Sequence, residues 1–102
     1  MDLQVLNVLC NTSSKTKMVL ATITRTWGST PRKPGAQMLI FPDGRTEGTI
    51  GGGCGEAEVK RRAMYLFAAP EPVLLTLDLT AELAEEEGMV CGGRMEVFIE
   101  PV

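Results

Sequence analysis

The run Met18–Arg25 (MVLATITR) is rich in β-branched and apolar residues on both of its alternating faces. A strand with one wet face alternates apolar and polar residues; a strand apolar on both faces belongs inside a sheet. The run therefore predicts a central strand. Ala36–Phe41 reads as a second strand, Pro42-Asp43-Gly44 as a turn, and Arg45–Ile50 as a third strand, which makes 36–50 a hairpin. Val73–Asp78 reads as a further strand. In Met95–Glu100, Met95, Val97 and Ile99 alternate with Glu96, Phe98 and Glu100, the pattern of a half-buried strand.

Helical spacing appears between the strands. From Glu56 to about Ala69, Val59, Ala63, Leu66 and Phe67 share a face, and Pro70 and Pro72 end the segment. Glu56/Lys60 and Glu58/Arg62 fall at the i,i+4 spacing that suits ion pairs on a helix. Residues 2–10 fit a shorter helix with Leu3, Leu6, Leu9 and Cys10 on its apolar face, which puts Cys10 in the core. Thr80–Glu87 reads as a short acidic helix between Thr80 and Gly88 as caps. The expectation is a mixed α/β (α+β) fold: one small domain over residues 1–102, with about five strands and two or three helices.

Composition narrows the chemistry. The chain has 102 residues, too few for two substantial cores. A net charge of −3 argues against a protein built to neutralise nucleic-acid phosphate. Scarce aromatics argue against base-stacking platforms. There is no histidine, which removes Ser-His-Asp and Cys-His catalysis and His-ligated zinc. Three cysteines without a CxxC pair do not make a disulfide framework, and free thiols suit a reducing cytoplasm. The N-terminal residues lack a basic signal-peptide region, and no apolar run approaches membrane-spanning length. Charge is segregated: residues 15–45 hold six bases and one acid, and residues 71–100 eight acids and Arg94. Two solvated surfaces account for this, or an anion site lies near the basic end with an acidic docking face opposite.

Three segments can carry chemistry. In Gly51–Glu56 (GGGCGE), between a predicted strand and helix, glycines allow close backbone approach. The helix start turns N–H groups toward a ligand and lowers the pKa of a thiol at Cys54. A tight turn around a small buried Cys is the plainer alternative. Glu56 is a first-turn acid favoured by the helix dipole, or a general acid/base beside Cys54. In Gly88–Arg94 (GMVCGGR), Cys91 precedes two glycines, and Arg94 can stabilise a thiolate or grip an anion, unless the segment is only a glycine-rich turn. In Trp27–Gly35 (WGSTPRKPG), two prolines stiffen a loop whose Ser29, Thr30, Arg32 and Lys33 suit phosphate or carboxylate. Alternatively it is a surface turn anchored by Trp27 in the core.

These segments closely resemble the XdhC/CoxI family. The matching stretches are Arg25–Met38 (RTWGSTPRKPGAQM), Gly48–Glu56 (GTIGGGCGE) and Gly88–Val97 (GMVCGGRMEV). The resemblance covers about Val19 to Pro101, nearly the whole chain. It implies an accessory protein, not a self-sufficient enzyme: a chaperone that binds the molybdenum cofactor (molybdopterin), supports its sulfuration with a cysteine desulfurase, and delivers it to a molybdenum hydroxylase apoenzyme. Transferred by position, the implied cofactor-binding residues are Gly28, Ser29, Arg32, Gly52, Gly53, Cys54, Cys91, Gly92 and Gly93. Glu56 and Arg94 join them as neighbours, and Cys54 and Cys91 are candidate metal ligands. A homodimer is expected, with no nucleic-acid or membrane partner. Longer members carry a C-terminal Rossmann-like domain not expected here, so a Rossmann-type partner on a separate polypeptide is also expected. A sulfur carrier acting through a persulfide, and a docking module whose cysteines are only structural, are the alternative functions. Gly55 departs from the larger apolar residue usual at its position.

Overall fold

A computed structural model describes residues 3–12, 16–79 and 93–102, apart from the Cys54 side chain. The expected acidic helix at 80–87, Cys91 and Gly92 lie outside the described residues.

Among these, two helices and five strands follow in the order α1 (Leu3–Asn11), β1 (Val19–Trp27), β2 (Gln37–Ile40), β3 (Thr46–Gly48), α2 (Gly53–Ala68), β4 (Val73–Asp78) and β5 (Arg94–Pro101). The strands form one sheet in the order β3-β2-β1-β5-β4, every neighbouring pair antiparallel. This is the expected mixed fold, with the expected strand at its centre. β1 is apolar on both faces because both are covered. Val19, Ala21 and Ile23 pack with Val59, Ala63 and Leu66 of α2 and with Met95, Val97 and Ile99 of β5. Met18 and Leu20 face the other way, toward Val5, Leu39 and Phe41. Fully burying such an aliphatic side chain contributes about 1.5–3 kcal/mol.

The N-terminal helix forms but turns a different face inward. Val5 is fully buried, with Val8 and Leu9 packed beside it. Leu3 is 78% exposed, and Leu6 and Cys10 are exposed as well, so Cys10 is a surface thiol and not a core residue. The spacing Val5/Val8/Leu9 is as helical as Leu3/Leu6/Leu9/Cys10; the sheet decides between them.

α2 starts at Gly53, three residues before the expected Glu56, so Cys54 and Gly55 lie inside its first turn. Glu58 pairs with Arg61 one step nearer than the expected Arg62. That hydrogen bond and the adjacent guanidinium hold the Glu58 carboxyl below its usual pKa.

Candidate functional site

The antiparallel order places the segments 27–35 and 51–56, and Gly93–Arg94 of the third, at one end of the sheet. β1 ends at Trp27, paired with Arg94 at the start of β5, and Arg94 pairs in turn with Asp78 at the end of β4. β3 ends at Gly48, opposite Met38 at the start of β2. The loop after β1, the turn from β3 into α2, and Gly93–Arg94 therefore emerge together.

The loop of residues 28–36 touches both other segments. A Cβ on Gly93 would lie 2.5 Å from the Trp27 carbonyl oxygen and 2.6 Å from that of Ser29. A Cβ on Gly51 would overlap Pro31. Arg32 donates to the Thr49 carbonyl at 3.1 Å. The prolines set the loop's shape, and backbone bonds between Ile23 and both Gly35 and Ala36 close its base. Arg32 is half-buried and tied to the chain, not a freely solvated cation. Trp27 is 38% exposed and not a core anchor.

The turn into α2 is held by a network that sequence reading did not assign. Thr49 Oγ1 donates to Glu56 Oε2 at 2.6 Å, and the same oxygen of Glu56 accepts from the Gly52 N–H at 2.9 Å. The Gly51 N–H donates to Thr49 Oγ1 at 3.0 Å. This resembles the reciprocal bonding of a capping box. However, Thr49 and Glu56 are seven residues apart instead of three, so the usual sequence signature does not reveal it. The Gly51 and Gly52 amides donate within the chain, and Glu56, in the first turn of α2 as its position in the sequence suggests, clamps its own loop.

The glycines Gly51, Gly52 and Gly53 have φ of 128°, 76° and 66°, a succession that only glycine adopts without strain. At Gly52 a Cβ would meet nothing within 4 Å, so open space lies on that side of the backbone. Cys54 follows two residues later in the first turn of α2. Gly55 faces inward: a Cβ there would lie 3.2 Å from Leu79 Cδ2, leaving little room for a larger residue. Surface cavities of about 500 Å³, lined in part by Gly53, Glu56, Lys60 and Arg61, and about 390 Å³, lined in part by Gly55, Leu77 and Asp78, border these turns.

The structure thus brings Gly28, Ser29, Arg32, Gly52, Gly53, Glu56, Gly93, Arg94 and the Cys54 backbone to one end of the sheet. Cys91 and Gly92 fall outside the described residues, so the convergence of the two thiols as metal ligands is not part of the geometry. Among the described residues no group of three or more Cys, Asp or Glu is arranged to hold a metal ion. No described helix is long and apolar enough to cross a membrane.

The fold and site define a small antiparallel α+β domain with glycine-framed loops gathered around a helix-start cysteine. The sequence profile of the XdhC and CoxI family matches residues 12–78, and the chain belongs to that family. It is 40% identical over 80 residues to the uncharacterized protein YqeB of Escherichia coli, covering 78% of this chain and 15% of that protein. It is 37% identical over 86 residues to a probable xanthine dehydrogenase subunit of Bacillus subtilis, covering 82% of this chain and 26% of that one. The crystal structure of a xanthine dehydrogenase from Bacillus halodurans superposes with a TM-score of 0.83 at 34% identity, over 96% of this chain and 29% of the other. The chain therefore spans less than a third of the length of each of these relatives.

Proposed function

We propose that this chain is a binding and insertion factor for the molybdenum cofactor, acting in the cytoplasm on behalf of a molybdenum hydroxylase. The observation that carries the reading is the meeting of the 28–36 loop, the Gly51–Gly53 turn and Gly93–Arg94 at one sheet end, beside the helix whose first turn holds Cys54. The family supplies the context: the names of two relatives, one of them of known structure, refer to xanthine dehydrogenase.

The residue chemistry suits such a cargo. A soft thiolate matches a sulfur-rich, soft metal centre. The open space where a Cβ of Gly52 would stand leaves room for a ligand beside the first turn of α2. The proline-stiffened loop holds Arg32 against Thr49, just before that turn, and Ser29 against Gly93. Cys91, two residues before Gly93, supplies the second thiol, and a cysteine desulfurase and the hydroxylase apoenzyme are the partners in this reading. The protein works as a homodimer.

The test is replacement of each thiol. Cys54→Ala and Cys91→Ala proteins, purified without oxygen from a host that makes the cofactor, are expected to lose bound molybdenum while keeping the wild-type unfolding midpoint. Wild-type occupancy in both variants would remove the thiols from the account.

A further inference from the structure

On the side of the sheet away from α2, past the part that α1 covers, the end of β1 carries a further cluster of exposed side chains. β1 contains an irregularity between Ile23 and Arg25, where its register to β5 shifts. Up to Ile23, the odd-numbered residues of β1 face α2. After the shift, Arg25 stands opposite Glu96 and Trp27 opposite Arg94, on the face away from the Met95/Val97/Ile99 core. A bulge of this kind re-aims side chains, and bulges are over-represented next to functional sites. Thr24 holds it in place, its single hydroxyl proton shared between the Glu96 carbonyl at 3.2 Å and the Glu96 carboxylate at 2.9 Å.

The re-aimed side chains converge. The guanidinium carbons of Arg25 and Arg94 lie 5.9 Å and 5.4 Å from the Trp27 ring centroid. Both arginines are exposed, as is Trp27. The indole orders two flexible cations by cation–π attraction, which lowers the entropy lost when they grip a ligand. Arginine presents a planar fork of donors that matches phosphate oxygens. The cluster adjoins Gly28 and Gly93, at the same sheet end as the Gly51–Gly53 turn, whose amides at Gly51 and Gly52 are already engaged by Thr49 and Glu56. A phosphate arriving at this end therefore meets the two arginines and not those glycine amides.

We propose that Arg25 and Arg94, ordered by Trp27, form a phosphate-binding site that anchors the phosphate ester of a small heterocyclic ligand. Asp78, across from Arg94, and Glu96, across from Arg25, lower the local positive charge, so the two guanidinium forks and not net charge select the phosphate oxygens. This site rests on the sheet geometry and does not require the cofactor reading. Mononucleotides and pterin phosphates share the recognised chemistry.

Trp27 is the only tryptophan in the chain, so its fluorescence reports on the site directly. The titration uses the whole chain with cytidine 5′-monophosphate, cytidine, inorganic phosphate and a pterin monophosphate, with calorimetry as a second readout. Saturable binding of the phosphate compounds is expected, with cytidine silent. Arg25→Gln and Arg94→Gln should each weaken binding about tenfold, and Asp78→Asn should tighten it. Whichever of the nucleotide and the pterin binds more tightly identifies the source. No saturable binding of any phosphate, equal binding of cytidine, or wild-type affinity in Arg94→Gln would overturn the proposal. Phosphate binding that persists in a Cys54→Ala protein lacking molybdenum would uphold this site independently of the thiols. Normal molybdenum with no phosphate binding would overturn this site alone.

Discussion

Thr49 and the glycines after it decide how the turn before α2 is built. Thr49→Val removes both its donation to Glu56 and its acceptance from Gly51, and two half-buried hydrogen bonds typically stabilise by about 1 kcal/mol each. Urea unfolding is expected to show a loss of about 1–2 kcal/mol, largely recovered in Thr49→Ser; equal losses in the two would show that the hydroxyl is not what matters. Gly52→Ala meets open space, so its cost is the backbone strain of a positive φ, about 1–3 kcal/mol. Gly51→Ala bears comparable strain and also a clash with Pro31, so it should cost more, and Pro31→Gly should recover part of that excess in a double-mutant cycle. Additive effects would show that the two residues do not press on each other. The glycine triplet itself is plain in the sequence, but its reason is not. Only the fold separates Gly51, fixed by a neighbour, from Gly52, fixed by its torsion alone.

Among the elements, strands are the most legible, because burial on one or both faces writes itself into alternation. The boundaries Val73–Asp78 agree with the structure, and Met95, Val97 and Ile99 face the core as their spacing requires. α1 is legible as a helix, but its inward face is not: in nine residues two apolar stripes fit the same periodicity. Val5→Ala should therefore destabilise by about 2 kcal/mol, while Leu3→Ala should leave the unfolding midpoint nearly unchanged; the reverse ranking would mean that α1 docks through its other face. On α2, Glu58 has a folded pKa lowered chiefly by its hydrogen bond to Arg61. A carboxylate depressed in the folded state contributes stability above its unfolded value near 4.5, and that contribution disappears as pH falls through the lower folded value. Glu58→Gln should flatten this part of the stability–pH curve slightly, since exposed pairs are weak. An unchanged acid limb would show that the pair contributes nothing. The bulge in β1 carries no glycine to announce it, so the turning of Arg25 and Trp27 to the face away from α2 had no sequence signal.

Across the whole molecule, sequence order alone keeps the 28–36 loop, the Gly51–Gly53 turn and Gly93–Arg94 far apart; the antiparallel connections bring them together. The motifs and the family resemblance were legible in the residues, whereas the contacts Gly93 to Trp27 and Gly51 to Pro31 needed the topology. The account makes this sheet end a receptacle for a molybdenum-bearing pterin. The most direct measurement is the molybdenum content of the protein purified anaerobically from a cofactor-producing host, together with the fluorescence of the oxidised pterin released from it. The account predicts stoichiometric metal and pterin in equal amounts; protein free of both, from a host whose own hydroxylases are fully loaded, would contradict it.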